Sequence, residues 1–154
     1  MKNLLPIVIL AGLGYLIFNS AKNFLTGISY QILGASIDKQ NTSISNIAVK
    51  INLGIQNDSQ TSTELTRLYL QYYDSKGKLI GRTDTAAPIN ISPLSLTKIV
   101  IPVNIPTGTF LASLGYSITD ILINKVNPKI KISGKIFFKA GSINVDEVLT
   151  LSVL

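Results

Sequence analysis

Catalysis near neutral pH usually rests on histidine, cysteine or a carboxylate pair, and this sequence offers little of that chemistry. It contains no histidine and no cysteine, which removes the common general base, thiol nucleophiles, disulfides and thiolate metal sites. Eight carboxylates remain: Asp38, Asp58, Glu64, Asp74, Asp84, Asp120, Asp146 and Glu147. Most adjoin turn formers or helix ends, where acids serve the backbone. Only Asp146 and Glu147 are neighbours, and on a strand they would point to opposite faces. The sequence therefore predicts no catalytic residue, no cofactor and no metal site.

The cations are more ordered. The chain carries a net charge of +6, and Lys125, Lys129, Lys131, Lys135 and Lys139 follow one another with no acid between them. The last four are odd-numbered, whereas Ile130, Ile132, Ile136 and Phe138 are even. A strand here would turn its lysines to one face and its apolar residues to the other. Such a stripe is either a solvated or edge surface, on which lysine discourages edge pairing, or a contact for an anionic partner. Lysines close to an anionic bilayer contribute about 1 kcal/mol each. Nucleic acid is disfavoured, because Arg67 and Arg82 are remote in sequence and no aromatic platform accompanies the lysines.

The elements that position these residues begin with an apolar segment. Between Lys2 and Lys22 nineteen residues carry no charge. Its apolar side chains are Leu4, Leu5, Ile7, Val8, Ile9, Leu10, Leu13, Tyr15, Leu16, Ile17 and Phe18. As a helix this stretch covers about 28 Å, close to the hydrocarbon thickness of a bilayer. Pro6 would sit in the first turn, where its missing N–H costs little. The preferred reading of residues 1–22 is an uncleaved, single-pass membrane anchor. A cleaved signal peptide fits less well, since Asn19 would occupy the third position before a cut after Ala21. A buried core helix is the other alternative.

Residues 23–43 read as a linker and a first strand, and residues 44–154 as a β-domain. Ile28, Tyr30 and Ile32 alternate, as do Ile47, Val49, Ile51, Leu53 and Ile55. Leu68, Leu70 and Tyr72 start a strand that a turn at Ser75–Lys78 folds back into Leu79–Arg82. Pro88 and Pro93 bracket a short extended piece. Ile99, Ile101, Val103 and Ile105 alternate around Pro102, which marks an edge or a bulge. Phe110, Leu111, Leu114, Ile118, Ile121 and Leu122 recur at helical spacing and predict one helix from Thr109 to about Asn124. Ile143, Val145, Leu149, Leu151 and Val153 close the chain. Alternating strands separated by turn clusters, with one inserted helix, imply an all-β antiparallel sandwich.

This order of features resembles the late embryogenesis abundant type 2 family, which includes the water-stress and hypersensitive-response (WHy) domain. The resemblance is carried by Ile47 to Ile55 ending at Asn57, by Leu68 to Tyr73, and by Gly77 to Gly81. It continues through Ile91-Ser92-Pro93, Ile99 to Val103, the helix from Thr109, and Ile130-Lys131-Ile132-Ser133-Gly134. It departs at Asp58, where the family pattern has proline. The resemblance implies an immunoglobulin-like or fibronectin-like sandwich, tethered by one N-terminal transmembrane helix and without enzymatic activity. The expected role is a binding or structural domain that links or protects a membrane, in a cellular envelope or a virion's internal membrane. Its expected partners are the lipid bilayer and a neighbouring protein of a capsid or envelope layer. A phage component fastening an internal membrane to the capsid, and a lipid-binding or transport domain, are the alternatives.

Overall fold

The computed structural model describes residues 27–86, 88–115 and 117–153. The expected membrane anchor at residues 1–22, with its side chains Leu4 to Phe18, lies outside these residues. Among the described residues no helix is long and apolar enough to cross a membrane.

Strong period-two patterning produces nine strands among the described residues: β1 (Ile28–Ile37), β2 (Asn46–Asn57), β3 (Thr63–Tyr73), β4 (Leu79–Thr85), β5 (Ile89–Ile91), β6 (Ser95–Pro106), β7 (Lys129–Phe138), β8 (Gly141–Thr150) and β9 (Ser152–Val153). They form two sheets. The first has the order β6-β2-β1-β9, and the second has β4-β3-β7-β8 with β5 added beside β3. Among the described residues the strand pairings are antiparallel except β1 with β9, which run parallel through Ser36↔Ser152 and Ile37↔Val153. The two sheets bury their inward residues against each other. Ile37, Ile47, Ile51, Ile55 and Ile105 of the first sheet are buried, as are Leu70, Tyr72, Ile132, Ile136 and Ile143 of the second.

Pro102 stands on β6, the outer strand of the first sheet. It is exposed and aligned with Lys50 at a sheet edge, a position that tolerates the missing N–H of proline. The single long helix expected from Thr109 is instead two short ones, α1 (Thr107–Leu114) and α2 (Ile118–Leu122). Gly115 ends α1 in the left-handed conformation at φ 72°, its N–H donating to the Leu111 carbonyl. Ser117 then caps α2 through a reciprocal box with Asp120. Phe110 and Ile121 still reach the core, one from each helix. Leu111 packs half-buried against the same core.

The sandwich has two ends. At the entry pole Gly27 leads into β1, and its carbonyl accepts from the Asp58 N–H at 2.7 Å. Ile28 aligns with Asn57, and Asn57 with Ser95. The buried Asn57 side chain ties this end together: its Nδ2 donates to the Thr61 carbonyl at 2.9 Å, and its Oδ1 accepts from the Ser59 N–H at 3.0 Å. The far pole holds the loop from Asp38 to Ser45, the Asp74–Lys78 turn, both helices and the segment before β7. Asp38 organises its loop, accepting from Lys50 Nζ at 2.7 Å, Asn41 Nδ2 at 2.6 Å and the Gln40 N–H at 3.1 Å. Lys50 first, then Asn41, hold its carboxyl down at about 2.

Three outcomes check this architecture. Ile51→Asp places an unpaired charge in the core and should unfold the domain, a loss on the order of 4 kcal/mol or more, whereas exposed Lys98→Ser should stay within about 0.5 kcal/mol by denaturant titration. A Cβ on Gly134 would collide with the Tyr69 carbonyl oxygen and come within 2.9 Å of Leu70 Cα. Gly134→Ala should therefore lower stability by about 2 kcal/mol, because β3 and β7 must part locally. Asp38→Asn removes a carboxylate whose folded value lies below its ordinary 3.8. Its stabilisation is complete above about pH 4 and is lost as pH falls through about 2. Melting temperatures of parent and variant should differ most near neutrality and converge between pH 4 and 2.

Candidate docking surface

The alternation in β7 is realised as its parity requires. Lys129, Lys131 and Lys135 are exposed, and Ile130, Ile132, Ile136 and Phe138 are buried. Lys139 follows at the end of the strand, and Lys125 precedes it in a left-handed turn with φ 52°. β7 is an interior strand between β3 and β8, so the lysines guard no edge. Nor do they act as a unit. Lys131 Nζ meets Asp146 Oδ1 at 3.0 Å, and Lys139 Nζ meets Glu64 Oε1 at 3.3 Å. The strand also separates Lys139 from Lys129 by about 33 Å, placing one at each pole.

Folding supplies the partners that sequence distance concealed. Tyr69 aligns with Lys135, and Arg67 with Phe137, on the outer face of the second sheet. The Arg67 guanidinium lies 5.7 Å from the Tyr69 ring centre and 5.8 Å from that of Phe137. Its Nε and Nη2 each donate to Asp84 at 2.8 Å, which holds the Asp84 carboxyl below the usual range. Arginine and aromatic rings thus do stand beside the lysines. They are already engaged with one another, because Arg67 covers both rings and Asp84 fixes Arg67.

The far pole is different. Lys39, Lys76, Lys78, Lys125 and Lys129 are exposed, and none lies within ion-pair distance of an acid among the described residues. Asp38, Asp74 and Asp120 belong to the same end, but Asp38 is paired with Lys50, and the oxygens of the other two accept from groups of their own turns. Asp74 Oδ1 accepts from the N–H groups of Lys76 and Lys78, both at 2.8 Å. Asp120 Oδ2 accepts from the Ser117 N–H at 2.9 Å and its hydroxyl at 2.7 Å. The Lys78 N–H foremost, and the Ser117 hydroxyl foremost, hold these two carboxyls below their usual range. Three large apolar side chains project from the same pole: Ile44, 93% exposed, Ile123, 72%, and Leu79, 46%. Of these lysines the sequence singled out only Lys125 and Lys129. Lys39, Lys76 and Lys78 lie in turns, where no periodicity marks a shared face.

The rest of the surface holds little reactive chemistry. Asp146 faces outward to Lys131, while Glu147 accepts from the Tyr30 hydroxyl at 3.0 Å, so the adjacent acids point apart as expected. Burial first, and then Glu147, push the Tyr30 hydroxyl up to about 12, and burial does the same to Tyr72. No group of three or more acids that could hold a metal ion forms among the described residues. An open hollow at the entry pole is lined by Ser62, Thr63, Glu64, Asn90, Lys139 and Ala140, a polar set.

No family model matches the chain, and no curated protein does. Solved structures do. A protein from Archaeoglobus fulgidus is 10% identical with a TM-score of 0.50, the match covering 80% of this chain and 90% of that one. A protein from Arabidopsis thaliana, solved in solution, is 13% identical with a TM-score of 0.54, covering 77% and 76%. The ApaA protein from Bordetella pertussis is 7% identical with a TM-score of 0.50, covering 82% and 93%. At these identities the likeness is one of fold alone: a two-sheet, mostly antiparallel β architecture.

Proposed function

We propose that the chain is a membrane-tethered, non-catalytic binding domain that holds a bilayer at a set distance from a neighbouring protein layer. One observation carries the reading. The polypeptide enters the sandwich at Gly27, at one pole, only a few residues after the uncharged apolar stretch between Lys2 and Lys22. With residues 1–22 as a transmembrane helix, the sandwich stands on the bilayer by its entry pole. Even fully extended, residues 23–26 reach only about 14 Å, which holds the entry pole beside the tethering membrane and makes the far pole the end more distant from it. The order of strands and turns supports an immunoglobulin-like or fibronectin-like sandwich of the late embryogenesis abundant type 2 kind, whose non-enzymatic role agrees with the want of histidine and cysteine.

Carbonate extraction tests the tether. The full chain should stay in the membrane pellet at alkaline pH and high salt and be released only by detergent. A mature N-terminus beginning after Ala21, or recovery of the intact chain without detergent, would sink the proposal.

A further inference from the structure

We infer that the far pole is the docking site for an acidic protein surface with apolar recesses. This rests on the tethered reading, which directs that pole outward. Two independent features converge there. Lys39, Lys76, Lys78, Lys125 and Lys129 extend from three segments, none of them in an ion pair, because Asp74 and Asp120 are turned to the backbone of the turns that carry them and Asp38 is taken by Lys50. Ile44, Leu79 and Ile123 leave large aliphatic groups in water on those same three segments. Exposed aliphatic side chains set among unpaired cations suit a protein interface, which pairs apolar burial with a charged surround.

Other anionic occupants fit less of this. A nucleic acid would use the lysines for its phosphates but would leave Ile44, Leu79 and Ile123 without apolar partners. The aromatic pair Tyr69 and Phe137 on the neighbouring sheet face is already covered by Arg67. The chain's own bilayer lies at the entry pole, where Lys139 is matched by Glu64. A second anionic bilayer would attract lysine and accept aliphatic tips, and the experiment must separate it from protein. An acidic protein satisfies both features at once, with carboxylates at the rim and recesses for the three aliphatic side chains.

The test uses the full chain reconstituted in neutral phosphatidylcholine nanodiscs. The probes are poly-glutamate, a glutamate–tyrosine copolymer, an oligothymidylate and phosphatidylserine vesicles. The parent should bind the copolymer more tightly than poly-glutamate, and both more weakly as salt rises. Changing the five lysines together (Lys39→Ser, Lys76→Ser, Lys78→Ser, Lys125→Ser, Lys129→Ser) should weaken both polypeptide probes by about tenfold or more. Ile44→Ser with Leu79→Ser and Ile123→Ser should erase only the copolymer's advantage. All these positions are exposed, and circular dichroism of each variant confirms the fold. Equal binding of the polypeptides by parent and lysine variant would overturn the inference. So would tighter capture of the oligothymidylate or the phosphatidylserine vesicles than of the copolymer. Failure of the tether reports separately, as release of the chain from the discs by carbonate, and the probe comparison then proceeds on the free chain.

Discussion

Everything in this molecule follows from the burial of one face of each sheet against the other. A strand alternates its side chains, so committing Ile47, Val49, Ile51, Leu53 and Ile55 to the interior fixes the direction of every residue between them. Shifting β7 by one residue would exchange its isoleucines for its lysines at the core. The outward placement of Lys129, Lys131 and Lys135 is thus a corollary of the inward placement of Ile130, Ile132 and Ile136. The core is built from residues 28–151, with Phe110 and Ile121 closing the far end from the two helices.

The same constraint explains what the sequence reveals. Strands with unbroken alternation, such as Ile47 to Ile55, are legible because burial imposes a period of two. The Ser75–Lys78 turn and Pro102 are legible through local chemistry, and both hold in the structure. The break between α1 and α2 is not, because Phe110 and Ile121 keep an apolar rhythm across it while the decisive signals are a single glycine and a capping pair. The parallel partnership of β1 and β9 leaves no local trace, since it joins residues more than a hundred positions apart. The candidate site is legible only along the run of lysines that leads into β7. Lys129 shares a pattern with its neighbours, but Lys39, Lys76 and Lys78 occupy turns, and only the topology gathers them at one end.

Turn chemistry also creates the charge asymmetry. Asp38, Asp74 and Asp120 each accept hydrogen bonds from backbone N–H groups within a few residues of themselves. That work draws the carboxylates toward the chain and leaves the adjoining lysines facing water. The entry pole follows another rule, with Glu64 and Lys139 brought together across neighbouring strands. Opposite ends of one small sandwich therefore differ in field, although the residue types that build them are alike.

The alignment of β1 with β2 has a mechanical consequence. The chain enters at Ile28, and β2 lies antiparallel to β1 from Ile28↔Asn57 to Ile37↔Val49. The hydrogen bonds of such a ladder run across the strands. A pull applied at Gly27 and resisted at the opposite end acts along β1, so it loads those bonds in shear, all together, instead of peeling them apart one after another. β9 grips the last residues of β1 from the other side. A sandwich strung between two fixed points in this way resists extension along the one axis on which it would be pulled.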